Sequence, residues 1–174
     1  YMKVAYLIIN ERPDSGLLNS QVINLLKELS LFEEVEITLI AIWQPWVYLK
    51  YLRELRSLKD ELHCSGIKLL SIPFGLPSRY FSLYQTLFSF SVSYSSSLIK
   101  RALKGFDVVH CRSYFASYIA SQNKGVYKFK LIFDMRGFWP EEKIERFNWS
   151  KNQLKYRIFK KLEELMADIE SLRS

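Results

Sequence analysis

The chain opens on an unbroken apolar run, Val4-Ala5-Tyr6-Leu7-Ile8-Ile9, closed by the turn-rich stretch Asn10 to Gly16. A short run of β-branched and aromatic residues bounded this way predicts a buried strand over 3–9. Leu17, Leu18, Val22, Leu25, Leu26 and Leu29 then recur at helical spacing and predict one apolar helix face. Val35 to Ile42 alternates through Val35, Ile37 and Leu39 before becoming fully apolar, a second strand. Tyr48, Tyr51, Leu52, Leu55, Leu58 and Leu62 mark a second amphipathic helix ended by Gly66, and Ile67 to Ile72 is a third strand stopped by Pro73. After a loop at Phe74 to Arg79, Tyr80 to Leu103 predicts a long aromatic helix ended at Gly105. Phe106 to His110 reads as a fourth strand, Tyr114 to Gln122 as a short helix, and Phe129 to Phe133 as a fifth strand. Asp134 to Trp149 is a long connection, and Leu154, Ile158, Leu162, Leu165 and Ile169 define a last helix.

Strands that alternate with helices, and are apolar throughout rather than at every second residue, belong to a parallel sheet covered on both faces. The expected fold class is therefore α/β, a doubly wound, Rossmann-like parallel sheet with helices on both faces. With no internal repeat and no splitting linker, residues 2–174 read as one domain. The opening apolar run is too short for a secretory signal, and Asn10-Glu11-Arg12-Pro13-Asp14 stands where a small-residue cleavage site is needed. Tyr80 to Ile99 has no formal charge and is long enough to span a bilayer, but its seven serines, Gln85 and Thr86 argue against a lipid-facing helix. Cys64 and Cys111 have no partnered spacing, which excludes a disulfide scaffold and a cysteine zinc site, so a reduced compartment is expected. The 25 Lys and Arg outnumber the 18 Asp and Glu, a net charge of +7 that favours nucleic acid, phosphorylated small molecules or a lipid surface. No RRM, KH or helix-turn-helix signature accompanies that charge, so nucleic acid is not expected as a partner.

In an open parallel sheet, ligands bind outside the carboxyl ends of the strands. That rule selects Asn10 to Gly16, Pro73 to Arg79, Cys111 to Ser113, and Asp134 to Glu142. In the first loop, Ser15-Gly16 precedes a helix whose free N–H groups suit an anion; the alternative is an ordinary turn capped by Asp14 or Ser15. No Gly-x-Gly-x-x-Gly fingerprint is present. Arg112 offers a bidentate fork suited to phosphate. His110 is either a core histidine or a base, Cys111 a small apolar residue with no Cys-His pairing, and His63 a surface residue at a helix end. In Asp134-Met135-Arg136-Gly137-Phe138-Trp139-Pro140-Glu141-Glu142, Phe138 and Trp139 suit stacking on a flat or sugar-like ligand. Asp134 and Arg136 either contact that ligand or form an ion pair that holds the loop.

Two of these segments together, Asp107-Val108-Val109-His110-Cys111-Arg112-Ser113-Tyr114 and Phe133-Asp134-Met135-Arg136-Gly137-Phe138-Trp139-Pro140-Glu141-Glu142, resemble the N-terminal half of a GT-B glycosyltransferase. The retaining family 4 hexosyltransferases of cell-surface glycan and lipid-linked sugar assembly are the nearest group, and the likeness extends to Met2 to Asn10 and to Met166-Ala167-Asp168. The resemblance implies an acceptor-binding domain that works against a second, donor-binding half carrying a Glu-x7-Glu motif, which this chain does not contain. It implies a nucleotide-sugar donor as co-substrate, a glycan or lipid-linked acceptor, no cofactor and no protein-bound metal. Asp134, Arg136, Gly137, Phe138, Trp139 and Glu141 would shape the acceptor side. Arg112, Ser113, Ser15 and Gly16 would face the diphosphate or the reacting sugar, with Arg112 the candidate catalytic residue. The sequence departs from the family at two places: Ser15-Gly16 stands where many members have two glycines, and Arg112 where many have a histidine. This half alone is expected to be inactive. The alternative is a non-catalytic subunit of a split glycosyltransferase that docks a donor-binding chain to the membrane.

Such enzymes often act at the cytoplasmic face of the inner membrane. Tyr80, Phe81, Tyr84, Leu87, Phe88 and Phe90, followed by Lys100, Arg101 and Lys104, suit peripheral docking on an anionic lipid surface. Lys50, Arg53, Arg56 and Lys59 mark a neighbouring helix, offset by Glu54, Asp60 and Glu61, and Lys151, Lys155, Arg157, Lys160 and Lys161 the last one. The competing reading is core packing for the aromatics and a solvated face for the charges.

Overall fold

The computed structural model describes residues 1–74, 97, 99–134, 141, 145, 150–153, 156–157, 160 and 163–164. Five strands, β1 (Met2–Ile9), β2 (Val35–Trp43), β3 (Lys68–Pro73), β4 (Val108–Arg112) and β5 (Lys130–Asp134), pair in parallel in the order β3-β2-β1-β4-β5. β1 is central. It pairs with β2 along its whole length, from Met2 opposite Val35 to Ile9 opposite Ile42, and with β4 from Val4 opposite Val108 to Leu7 opposite Cys111. The chain builds outward from β1 to β3 and then restarts on the other side of β1, so strand order reverses between β1 and β4.

The central strands β1 and β2 are apolar on both sides because both of their faces are covered. One face packs Ala5, Leu7, Ile40, Ile42, Val109 and Leu131 against Ile99, Leu103 and a helix after β4, α5 (Tyr114–Asn123), through Ala116, Ile119 and Ala120. The other packs Tyr6, Ile8, Ile37, Leu39 and Trp43 against Leu18, Val22, Ile23 and Leu26 from the first helical segment. That segment runs α1 (Gly16–Leu18), a π-helical turn (Asn19–Ile23) and α2 (Asn24–Ser30). The same face holds Leu55 and Leu62 of α4 (Leu52–Cys64). Each fully buried Leu or Ile contributes about 1.5–3 kcal/mol relative to exposure, so these two layers dominate stability. The fold is α/β, a Rossmann-like parallel sheet with helices on both faces.

Several expected boundaries move. Leu17 and Leu25 lie outside the apolar stripe, 58% and 38% exposed, because the π turn rotates the helix and brings Ile23 inward instead. The helix expected from Tyr48 begins earlier, with Pro45 at its first position in α3 (Pro45–Lys50), and breaks at Tyr51 (φ −108°, ψ 27°) before α4. α4 ends as predicted at Gly66, whose φ of +71° allows the Gly66 and Ile67 N–H groups to bond back to His63 and Leu62 at 3.0 and 2.9 Å. β4 and β5 start and end later than the apolar pattern suggests, so Arg112 and Asp134 are strand residues and not loop residues. Asp107 instead closes the amino edge: its carboxylate accepts the Lys3 N–H at 2.7 Å, its own N–H bonds Lys3 O at 2.9 Å, and its carbonyl accepts from Lys130 at 2.8 Å.

Residues 99–102 are helical, and Gly105 follows at φ +84°; the aromatic stretch 80–90 lies outside the described residues. Residues 156, 157, 160, 163 and 164 of the expected last helix are helical. Among the described residues, no helix is long and apolar enough to cross a membrane. Both cysteines are free, Cys64 exposed and Cys111 buried.

Candidate functional site at the carboxyl edge

The reversal between β1 and β4 opens the sheet's carboxyl edge at the exits of those two strands, where open α/β sheets take ligands. Residues two apart on a strand share a face. His110 and Arg112 of β4 therefore lie on one face together with Tyr6 of β1, opposite His110, and Asp134 of β5, opposite Arg112. The rings of Tyr6 and His110 meet at 4.5 Å between centroids, tilted by 43°, and the buried Tyr6 hydroxyl donates to Asp134 Oδ2 at 3.4 Å.

Arg112 is not a free fork. It is 5% exposed, its Nε donates to Glu11 Oε1 at 2.9 Å and its Nη2 to Gln21 Oε1 at 2.9 Å. Glu11 comes from the loop after β1, and Gln21 from the π turn, a local widening of the helix often found at functional sites. Burying an unpaired guanidinium would be prohibitive, so Glu11 is what allows a strand to end on arginine. The third nitrogen, Nη1, is buried without a hydrogen-bond partner among the described residues.

Ser113 follows directly, at φ +82° and ψ 160°, a backbone region almost reserved for glycine that costs about 1–3 kcal/mol for other residues. It occupies the cap position of α5 without a side-chain cap bond, while its carbonyl accepts from Ser117 N and Oγ at 3.1 and 3.0 Å. Asn10, at the exit of β1, also has positive φ, +58°. In the first loop, Ser15 is the cap residue of α1, again without a side-chain cap bond, and Asp14 instead grips Arg12 through bonds of 3.0 and 2.6 Å. That arginine holds the Asp14 carboxyl below its usual range. A Cβ on Gly16 would meet no atom within 4 Å, so nothing in the described chain itself demands glycine there.

Glu141 belongs to a second charged cluster. Its Oε1 accepts from Lys160 at 2.9 Å and Tyr156 at 3.3 Å, and Lys160 also reaches Glu163 at 2.6 Å. Burial pushes the Glu141 carboxyl up, but the bonds from Lys160 and its own backbone outweigh it and the net shift is downward. Glu163 in turn accepts from Tyr114 at 3.5 Å, and burial, then the negative charge of Glu163, push that phenol up to about 12. Glu141 is thus tied to the last helix, with Oε2 buried and unpartnered. Arg136, Gly137, Phe138 and Trp139 lie outside the described residues.

The structure therefore gathers Arg112, Ser113 and Asp134 at the exits of β4 and β5, and adds Tyr6, Glu11 and Gln21, which sequence reasoning missed. The only signal for Glu11 was that a buried arginine needs an acid, and that need was invisible while Arg112 read as a loop residue. Cys111 is buried, which pushes its thiol pKa up and leaves it unsuited as a nucleophile. Among the described residues no group of three or more His, Cys, Asp and Glu side chains comes together to hold a metal.

No family model matches the sequence, and no curated protein matches it. Among solved structures, the C-terminal domain (residues 78–226) of a hydrogenase from Pyrococcus furiosus is similar at a TM-score of 0.48 and 11% identity, over 77% of this chain and 91% of that one.

Proposed function

We propose that the chain is the acceptor-binding half of a nucleotide-sugar-dependent glycosyltransferase of the GT-B type, acting on a glycan or lipid-linked acceptor. The observation that supports this reading is the pairing of Arg112 with Asp134 at the exits of β4 and β5. One residue from each of the two segments that resemble the glycosyltransferase half thereby stands at the edge where an α/β sheet binds ligands. In the reaction, the bond from the hexose anomeric carbon to the donor phosphate oxygen breaks. A bond to the acceptor oxygen forms, and the acceptor proton leaves with the nucleotide diphosphate.

In this reading Asp134, already an acceptor for Tyr6, orients an acceptor hydroxyl, and the loop beyond it supplies the stacking surface. A donor-binding half closing over this edge would exclude water and fix the reacting atoms, effects worth roughly 7–11 kcal/mol in well-oriented systems. This half by itself is inactive. Lys100, Arg101 and Lys104 are all exposed, which suits peripheral contact with an anionic bilayer.

The test is a transfer assay with radiolabelled nucleotide hexoses and lipid-linked or soluble glycan acceptors, run on the chain alone and with a donor-binding half supplied. Transfer that requires both halves and is lost in Asp134→Ala supports the reading. Absence of transfer with every donor and acceptor, together with no acceptor-induced NMR shift at Asp134, would sink it. Sedimentation with anionic liposomes checks the membrane contact separately, since charge reversal at Lys100, Arg101 and Lys104 should abolish it.

A further inference from the structure

We infer that Arg112 is the binding group for a neutral oxygen of the substrate, a hydroxyl or carbonyl, and not for its phosphate. This rests on reading the carboxyl edge as the substrate cleft. Three observations carry it. The guanidinium is 5% exposed and its charge is already matched by Glu11, 2.9 Å from Nε. Its Nη2 already holds a neutral amide oxygen, that of Gln21, also at 2.9 Å. Its Nη1 is a buried donor that nothing among the described residues accepts from.

A dianionic phosphate approaching this group would meet the Glu11 carboxylate at close range, in surroundings where like charges repel far more strongly than in water. A hydroxyl or carbonyl oxygen meets no such penalty. It gains a charge-assisted hydrogen bond from a rigidly held donor. Gln21 is itself exposed, so its side chain stands between the buried fork and solvent in the place where a ligand oxygen would enter. Glu11 is then a specificity residue: it turns an arginine that would otherwise select phosphate into one that selects a sugar hydroxyl.

The experiment uses two nearly isosteric probes, acetamide and acetate, followed by the Arg112 side-chain N–H resonances in the Gln21→Ala variant, where Nη2 has lost its occupant. Acetamide should shift those resonances at concentrations about tenfold below acetate, and the preference should reverse when Glu11→Gln is added. Inorganic pyrophosphate should leave Arg112 unshifted in the unaltered protein and shift it in Glu11→Gln. Pyrophosphate binding through Arg112 with Glu11 intact would overturn the assignment, as would an acetate preference in Gln21→Ala or no shift with either probe. None of these readouts involves hexose transfer, so their failure is separable from failure of the glycosyltransferase reading.

Discussion

The two edges of the sheet are built to different standards. At the amino edge, Asp107 binds Lys3 twice and Lys130 once, and the Met2 N–H bonds Glu34 O at 2.8 Å, so the first residues of β1 and β5 are tied into one bonded rim. At the carboxyl edge, among the described residues, stand both non-glycine residues with positive φ, Asn10 and Ser113. Among the described residues, the buried side-chain polar atoms without a partner are there too: Trp43 Nε1 at the end of β2, Arg112 Nη1 at the end of β4, and Glu141 Oε2 beyond β5. Orphaned buried polar groups and strained backbone each cost on the order of 1–3 kcal/mol and persist where the surrounding structure enforces them. The same strands therefore end in a closed rim on one side and an under-satisfied rim on the other. The difference marks which rim is shaped for a ligand.

The largest expected effect that would break this contrast is at Arg112. Arg112→Met keeps the buried stem but strands Glu11, and urea melts should show a loss of ~2–3 kcal/mol, short of the range for a fully buried pair because Glu11 reaches solvent. A loss under half a kcal/mol would mean that the ion pair is not what holds the β4 exit. Next comes Asp107→Ala, which should cost about 1–1.5 kcal/mol in the same melts through the lost bond to Lys3 N–H, with the amides of Lys3 and Lys130 exchanging faster. Unchanged exchange there would remove the amino rim from the comparison.

Ser113→Gly has the opposite sign. Relief of the backbone strain should raise stability by about 1 kcal/mol, partly offset by the extra freedom of glycine in the unfolded chain. Destabilisation would show that Ser113 is not strained in solution. The last effect is absent at neutral pH and appears only in alkali. The Tyr114 phenol is held neutral in the fold, with its pKa raised from 10.0 to about 12. Its contribution is complete below pH 10 and lost as pH rises toward 12. Tyr114→Phe should flatten that part of the alkaline stability curve, and an unaltered curve would count against the burial of this phenol beside Glu163.

The sheet was legible because continuous apolar runs report a strand buried on both sides, and the chain order of strands and helices left few topologies. Strand ends were not. Arg112 breaks an apolar run, so the pattern closes β4 at His110, although the compensating charge arrives from Glu11, which only folding brings near. Tyr51 fits a helical apolar face by spacing, yet its hydroxyl accepts from Arg12 at 3.0 Å and its ring lies under the Arg12 and Lys50 cations, and the helix breaks there. The π turn left no trace in a list of apolar positions, since it exchanges one buried aliphatic residue for another. Of the expected site, Arg112, Ser113 and Asp134 were found by position in the fold, while the partners that decide what Arg112 can bind come from another loop and an irregular turn.

The Schellman turn at Gly66 leaves Cys64 exposed where α4 hands the chain back to the start of β3, which puts this thiol on the quiet rim. Cys111, the other sulfur, is shielded and held as a neutral thiol by its burial. A maleimide should therefore attach at a single point. Coupled to a sensor chip or a bead through that point, every molecule would be anchored by its sealed side, with the opposite mouth of the sheet turned toward the flowing solution.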